Sequence, residues 1–158
     1  MSKGNSIVVS ASPICPFEWG YINDTSLPGT IMQIEAGKAF AGNTPYVVAN
    51  NPGTDGAKCV PMILREDKLQ GGLITDAGVA GKWREVYCLL SGDMFLGRFG
   101  EAPGTGTAVE IGDRLILDAE DGVLIPEVGT TTAEDCFAVA LEAISYSADS
   151  SLLWCMKT

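Results

Sequence analysis

Arg84-Glu85-Val86-Tyr87-Cys88-Leu89-Leu90 leads through Ser91-Gly92-Asp93 into Met94-Phe95-Leu96-Gly97-Arg98-Phe99. Two short apolar runs around a glycine-bearing three-residue link have the pattern of an antiparallel hairpin. The pattern recurs downstream. Asp113-Arg114-Leu115-Ile116-Leu117 and Val123-Leu124-Ile125 flank Asp118-Ala119-Glu120-Asp121-Gly122, a second hairpin by the same reasoning. Upstream, Thr30-Ile31-Met32-Gln33-Ile34 and Tyr46-Val47-Val48 are strand-like. The stretch from Asn50 to Gly56 is a loop by composition. Lys58 to Leu64 reads as a strand in which Pro61, lacking an amide donor, marks an edge or bulge.

Cys136 to Ile144 is ambiguous. Ala, Leu and Glu favour helix, whereas Phe137, Val139, Leu141 and Ala143 fall at alternate positions. Its short length among strands decides for strand. Ser151 to Met156 closes the series. About nine or ten short strands with little helix specify an all-β protein, an antiparallel β-sandwich or barrel. Residues 29–158 form its β domain, and the Gly/Pro loop at 103–106 permits a subdomain split near 101–106. Residues 1–28 differ, with Pro13, Pro16 and Pro28 beside Phe17, Trp19 and Tyr21. Extended backbone would put the three aromatics on one face. Two readings stand: an extended N-terminal arm that docks an aromatic stripe on a partner, or a first strand of the domain.

Composition narrows the function. The chain has 158 residues, 46% hydrophobic and 19% charged, with a formal net charge of -10. That acidity opposes binding to nucleic acid, which needs clustered Lys/Arg, and to anionic membranes. Histidine is absent, which removes His-dependent triads, His general bases and HExxH zinc sites. The start shows no apolar region long enough for a secretory leader, and no apolar run long enough to span a bilayer. Five cysteines, at 15, 59, 88, 136 and 155, make no CxxC pair. They read as reduced thiols acting as small hydrophobes, with Cys88 and Cys136 in the core and Cys15 the one exposed candidate.

Catalytic and cofactor motifs fail one by one. Gly81-Lys82 continues as Trp83 and Gly37-Lys38 as Ala39, so there is no phosphate loop. Gly104-Thr105-Gly106 does not extend to GxGxxG, and no GxSxG occurs. Counted from Asp118, an EF-hand would need Gly and an acid where Val123 and Gly129 stand. A polar turn with Gly122 at positive φ fits better. Asp113 with Asp118 could serve a glycosidase, but acids flanking a strand are commonly solvated turn residues. No enzyme activity, cofactor or metal is expected.

Two stretches carry a resemblance. One runs from Glu66 through Leu69-Gln70-Gly71-Gly72-Leu73 to Gly81, and the other is Ile111-Gly112-Asp113-Arg114-Leu115 with Asp121-Gly122-Val123-Leu124. Together with Pro28-Gly29-Thr30 and Phe137-Ala138-Val139-Ala140-Leu141-Glu142, they make residues 28–158 similar to the capsid decoration, or cement and head-stabilisation, proteins of tailed bacteriophages. The resemblance implies a jelly-roll-like or β-tulip-like domain on the capsid exterior, assembled in the host cytoplasm. It also implies two partners: the major capsid protein, and itself as a homotrimer or homodimer at capsid symmetry axes. It brings no catalytic residues. Phe17, Trp19 and Tyr21 are then the candidate partner-binding residues, since aromatics dominate interface energetics. Deleting residues 2–21 is expected to leave a folded domain that no longer joins the shell. The alternative is a carbohydrate-binding or head-fibre-base β-sandwich module. That module would display aromatics on loops, where Trp83 is the one candidate, and Trp83 reads better as the start of a buried strand.

Overall fold

The structure is a computed structural model that describes residues 7–10, 17–22, 25–34, 47–49, 61–66, 73–100, 108–118, 122–127, 136–145 and 151–158. Its regular structure there is entirely β. The first six strands are β1 (Val8–Ser10), β2 (Phe17–Ile22), β3 (Ile31–Ile34), β4 (Val47–Ala49), β5 (Met62–Leu64) and β6 (Trp83–Cys88). The remaining seven are β7 (Met94–Arg98), β8 (Ala108–Val109), β9 (Arg114–Leu117), β10 (Leu124–Pro126), β11 (Ala138–Ala140), β12 (Ile144–Ser145) and β13 (Leu152–Lys157). Pairing in the order β2-β4-β3-β5-β6 closes into a ring. A second, six-stranded sheet runs β1-β7-β13-β11-β9-β10, and β12 with β8 makes a small flap. All strand pairs are antiparallel except β2 with β4.

The all-β expectation holds, as does strand rather than helix within Cys136–Ile144, where β11 lies and β12 begins. β5 starts just after Pro61, as the missing amide requires. β9 and β10 form the second hairpin, with Gly122 at φ 66 in its link. The first hairpin is a correction. β6 pairs with β2 and β5, whereas β7 pairs with β1 and β13, so Leu89–Asp93 carries the chain from one sheet to the other. Its turn is tight, with Asp93 N–H donating to Leu90 O at 3.0 Å and Leu90 N–H to Asp93 Oδ2 at 2.9 Å. The link thus has hairpin chemistry without hairpin pairing. The loop at 50–56, the possible split near 101–106, Cys15 and Cys59 lie outside the described residues.

The two halves of the chain repeat one another. In the first, β3 opposes β5 through Ile31 with Ile63 and Met32 with Met62. In the second, β9 opposes β11 through Arg114 with Val139 and Leu115 with Ala138. β5 opposes β6 through Ile63 with Tyr87, and β11 opposes β13 through Val139 with Met156. β6 and β2 place Arg84 opposite Gly20, as β13 and β7 place Leu153 opposite Gly97. The parallel contact recurs too: Ile22 faces Val48, and Phe99 bridges to Leu124 in parallel. Bonds outside the ladders also match. Gly29 N–H donates to Leu64 O at 2.8 Å, and Gly112 N–H to Ala140 O at 2.9 Å. Ile22 N–H reaches Lys82 O at 3.1 Å, and Phe99 N–H reaches Ser151 O at 3.0 Å.

β5 explains how the core is laid out. Strand side chains alternate between faces, yet all three of its residues are buried. Met62 and Leu64 join Ile22, Met32, Val86 and Cys88 in one cluster. Ile63 joins Ile31 and Tyr87 in a larger cluster with Phe95, Leu96, Leu115 and Leu153 of the second half. The halves therefore share a core. They are also interlocked by the turn before β3. Gly29, at φ 94, accepts from Arg98 N–H at 2.9 Å, and Ile31 N–H donates to Gly122 O at 2.8 Å. Arg98 Nε donates to Pro28 O at 2.8 Å.

Candidate partner-binding surface

Polar clusters inside the molecule are occupied with holding it together. Arg65 Nη1 donates to Glu85 Oε1 at 2.9 Å, and Glu66 Oε2 accepts from Ile7 N–H at 3.2 Å. These buried groups tie the segment before β1 to the ring. Burying such charges costs free energy that pairing and hydrogen bonds offset. Arg98 is buried as well, and its Nη2 donates to Ile74 O at 2.7 Å in addition to the bond to Pro28. Desolvation holds its guanidinium below the ordinary value. With its donors aimed at two backbone carbonyls, Arg98 acts as a clamp between the 73–80 loop and the turn before β3.

An open pocket of roughly 240 Å³ lies beside that clamp, lined by Thr25, Ser26, Thr30, Arg98 and Phe99 among others. Its described lining offers three hydroxyls and a guanidinium bonded to backbone carbonyls. Among the described residues no group of three or more His, Cys, Asp or Glu is placed to hold a metal ion. Cys88 and Cys155 are buried thiols and Cys136 is half-buried. Lys157 is held below its ordinary value by burial, with Cys136 acting in the opposite direction, and its Nζ lies 4.7 Å from the Phe137 ring centroid.

Phe17, Trp19 and Tyr21 occupy alternate positions of β2. They oppose Tyr87, Glu85 and Trp83 of β6, and Tyr21 also opposes Val47 of β4. Their backbone thus belongs to the ring. Trp83 begins β6 as read from the sequence, but it is 40% exposed rather than buried. Leu73 and Val79, in the loop that precedes it, are exposed too. A second set of exposed apolar residues lies on the other half: Leu90, Ile111, Leu141 and Met156. Sequence reasoning missed these. The signal available for Leu141 was its alternation with Val139, which identifies a strand but not which face is covered.

The described residues thus form a two-half β body with large apolar side chains on its surface. No protein-family description matches the chain, and no curated protein matches it. A solved structure does: the head fiber gp8.5 N base of bacteriophage phi29, with a TM-score of 0.53 and 12% sequence identity, covering 92% of this chain and 95% of that one. The likeness spans both halves and is a likeness of fold.

Proposed function

We propose that this chain is a structural protein of a tailed-phage virion. It binds the outer surface of the head and cements neighbouring major capsid subunits. The observation that carries the reading is the fold likeness, over nearly the whole chain, to a head fiber base. The acidic composition supports an outer rather than a DNA-facing position. Exposed apolar residues on a rigid β scaffold suit adhesion, and modest affinity per copy is amplified on a many-copy shell. Phe17, Trp19 and Tyr21 of β2 are assigned a share of the shell contact. The protein acts without turnover and without a cofactor.

The same fold likeness favours a second reading, in which the chain is the base of a head fibre. One experiment separates the two. Purified protein is mixed with heads lacking it, the heads are sedimented, and their thermal disruption is measured. Co-sedimentation with a raised disruption temperature is expected of a cement protein. Co-sedimentation without that rise indicates a fibre base, and failure to co-sediment contradicts both. Trp19→Ala is expected to weaken head binding about tenfold or more, the scale of an aromatic interface anchor.

A further inference from the structure

We propose that the lobe built from residues 108–113 and 140–145 docks a partner chain in which lysine or arginine flanks apolar side chains. The lobe's backbone is held on several sides. β8 pairs with β12 through Val109 with Ile144 and Ala108 with Ser145. A tight turn then leads into β9. Asp113 N–H donates to Glu110 O at 3.2 Å, and Glu110 N–H to Asp113 Oδ2 at 2.8 Å. Gly112 N–H reaches Ala140 O at 2.9 Å, and Ala140 N–H returns to Asp113 O at 2.9 Å. At the corner of this locked turn Ile111 is 72% exposed, and Leu141, next after Ala140, is 36% exposed.

A second turn of the same construction shows that the turn itself does not call for isoleucine. From Leu90 to Asp93 the two bonds between the end residues recur, at 3.0 and 2.9 Å. Gly92, at φ 91 against 94 for Gly112, donates to Lys157 O at 2.8 Å, and Lys157 N–H returns to Asp93 O at 2.9 Å. Ser91 holds the corner there. A serine serves that corner in water. Isoleucine at the corresponding corner, with Leu141 beside the bonds that lock it, puts apolar surface where a partner would gain by covering it.

Charge states what the partner is. Residues 101–150 hold eleven of the twenty acidic residues and one basic residue, Arg114, while the rest of the chain holds nine of each. The whole net charge of -10 therefore falls in the segment that includes this lobe. The lobe itself carries Glu110, Asp113 and Glu142 and no Lys or Arg. Arg114, just beyond it, is paired with Glu127 at 3.0 Å. Apolar surface among carboxylates is complementary to apolar side chains among cations. Nucleic acid and anionic lipid bring the wrong sign, which leaves a cationic polypeptide. The inference stands apart from the virion reading, since it uses only the surface of this chain.

A nuclear magnetic resonance titration of the full chain is the test. The probe is a short capped peptide of alternating lysine and leucine. Matched peptides replace lysine by glutamate, or leucine by serine. Saturable binding of the lysine–leucine peptide is expected, with a Kd of about 10–100 µM at low salt and weaker as salt screens the charges. Amide shifts should change at 108–114 and 140–145. Ile111→Ser, which installs the residue of the second turn, is expected to weaken binding about tenfold or more. Glu110→Gln is expected to weaken it about threefold and to flatten the salt dependence. Val79→Ser, at an exposed position of the first half, should leave it unchanged. Circular dichroism checks that each variant is folded. No saturation up to about 1 mM, shifts centred elsewhere, equal binding of either matched peptide, or full binding by Ile111→Ser would overturn the proposal.

Discussion

Gly29→Ala is expected to cost about 3–5 kcal/mol of folding stability, of which left-handed backbone strain supplies about 1–3 and forced overlap the rest. Gly29 sits at φ 94, a conformation that L side chains rarely adopt. A Cβ there would also lie 3.0 Å from Leu96 O and 2.9 Å from Leu152 Cδ2. The leucine tip can turn aside, but the carbonyl belongs to β7 and cannot. The repeat supplies the control. Gly112 has the same φ of 94 in the equivalent turn, and a Cβ there would meet nothing within 4 Å. Gly112→Ala should therefore show the strain alone, about 1–3 kcal/mol. Urea unfolding midpoints at unchanged slope measure both. Equal losses would mean that the wedge between the halves contributes nothing.

Removing residues 2–21 is expected to abolish cooperative folding. Because β2 pairs with both β4 and β6, the outcome expected is the opposite of a surviving folded domain. The deletion takes all of β1 and all of β2 but Ile22. Without β2 the ring opens at both β4 and β6, baring Met62, Val86 and Cys88 to water. Ile7, fully buried, is lost with its bond from Leu96 N–H at 2.7 Å. Losses on this scale exceed the 5–15 kcal/mol by which domains are ordinarily stable. Near-ultraviolet circular dichroism and urea unfolding check the outcome. Removing only residues 2–6 touches no described strand and should leave a cooperative transition. A cooperatively folded chain lacking 2–21 would refute ring closure through β2.

Local chemistry made much of this fold readable. Pro61 marks the start of β5, Gly122 marks the β9–β10 turn, and the alternation around Val139 marks β11. What stayed hidden depends on partners far along the chain. Ser91-Gly92-Asp93 reads as a hairpin link because turn chemistry is local, but β6 and β7 are claimed by β2 and β13 respectively. The repeat was hidden for a similar reason. Matched positions keep backbone geometry and little else: Gly20 with Gly97, Gly29 with Gly112, Glu66 with Glu142. Tyr87 and Met156 share a register position but not chemistry, because one is core and the other surface. Trp83 illustrates the limit at the site. Its place at the head of a strand was legible, and its exposure was not, since no strand residue announces what covers its face.

Cryo-electron microscopy of intact particles encoded with this chain decides whether it sits on the outside of the head. A density with the two-half β shape is expected at fixed positions on the outer surface of the head, in contact with the shell. Particles that carry no such density, or that hold it inside the shell against the genome, would contradict it.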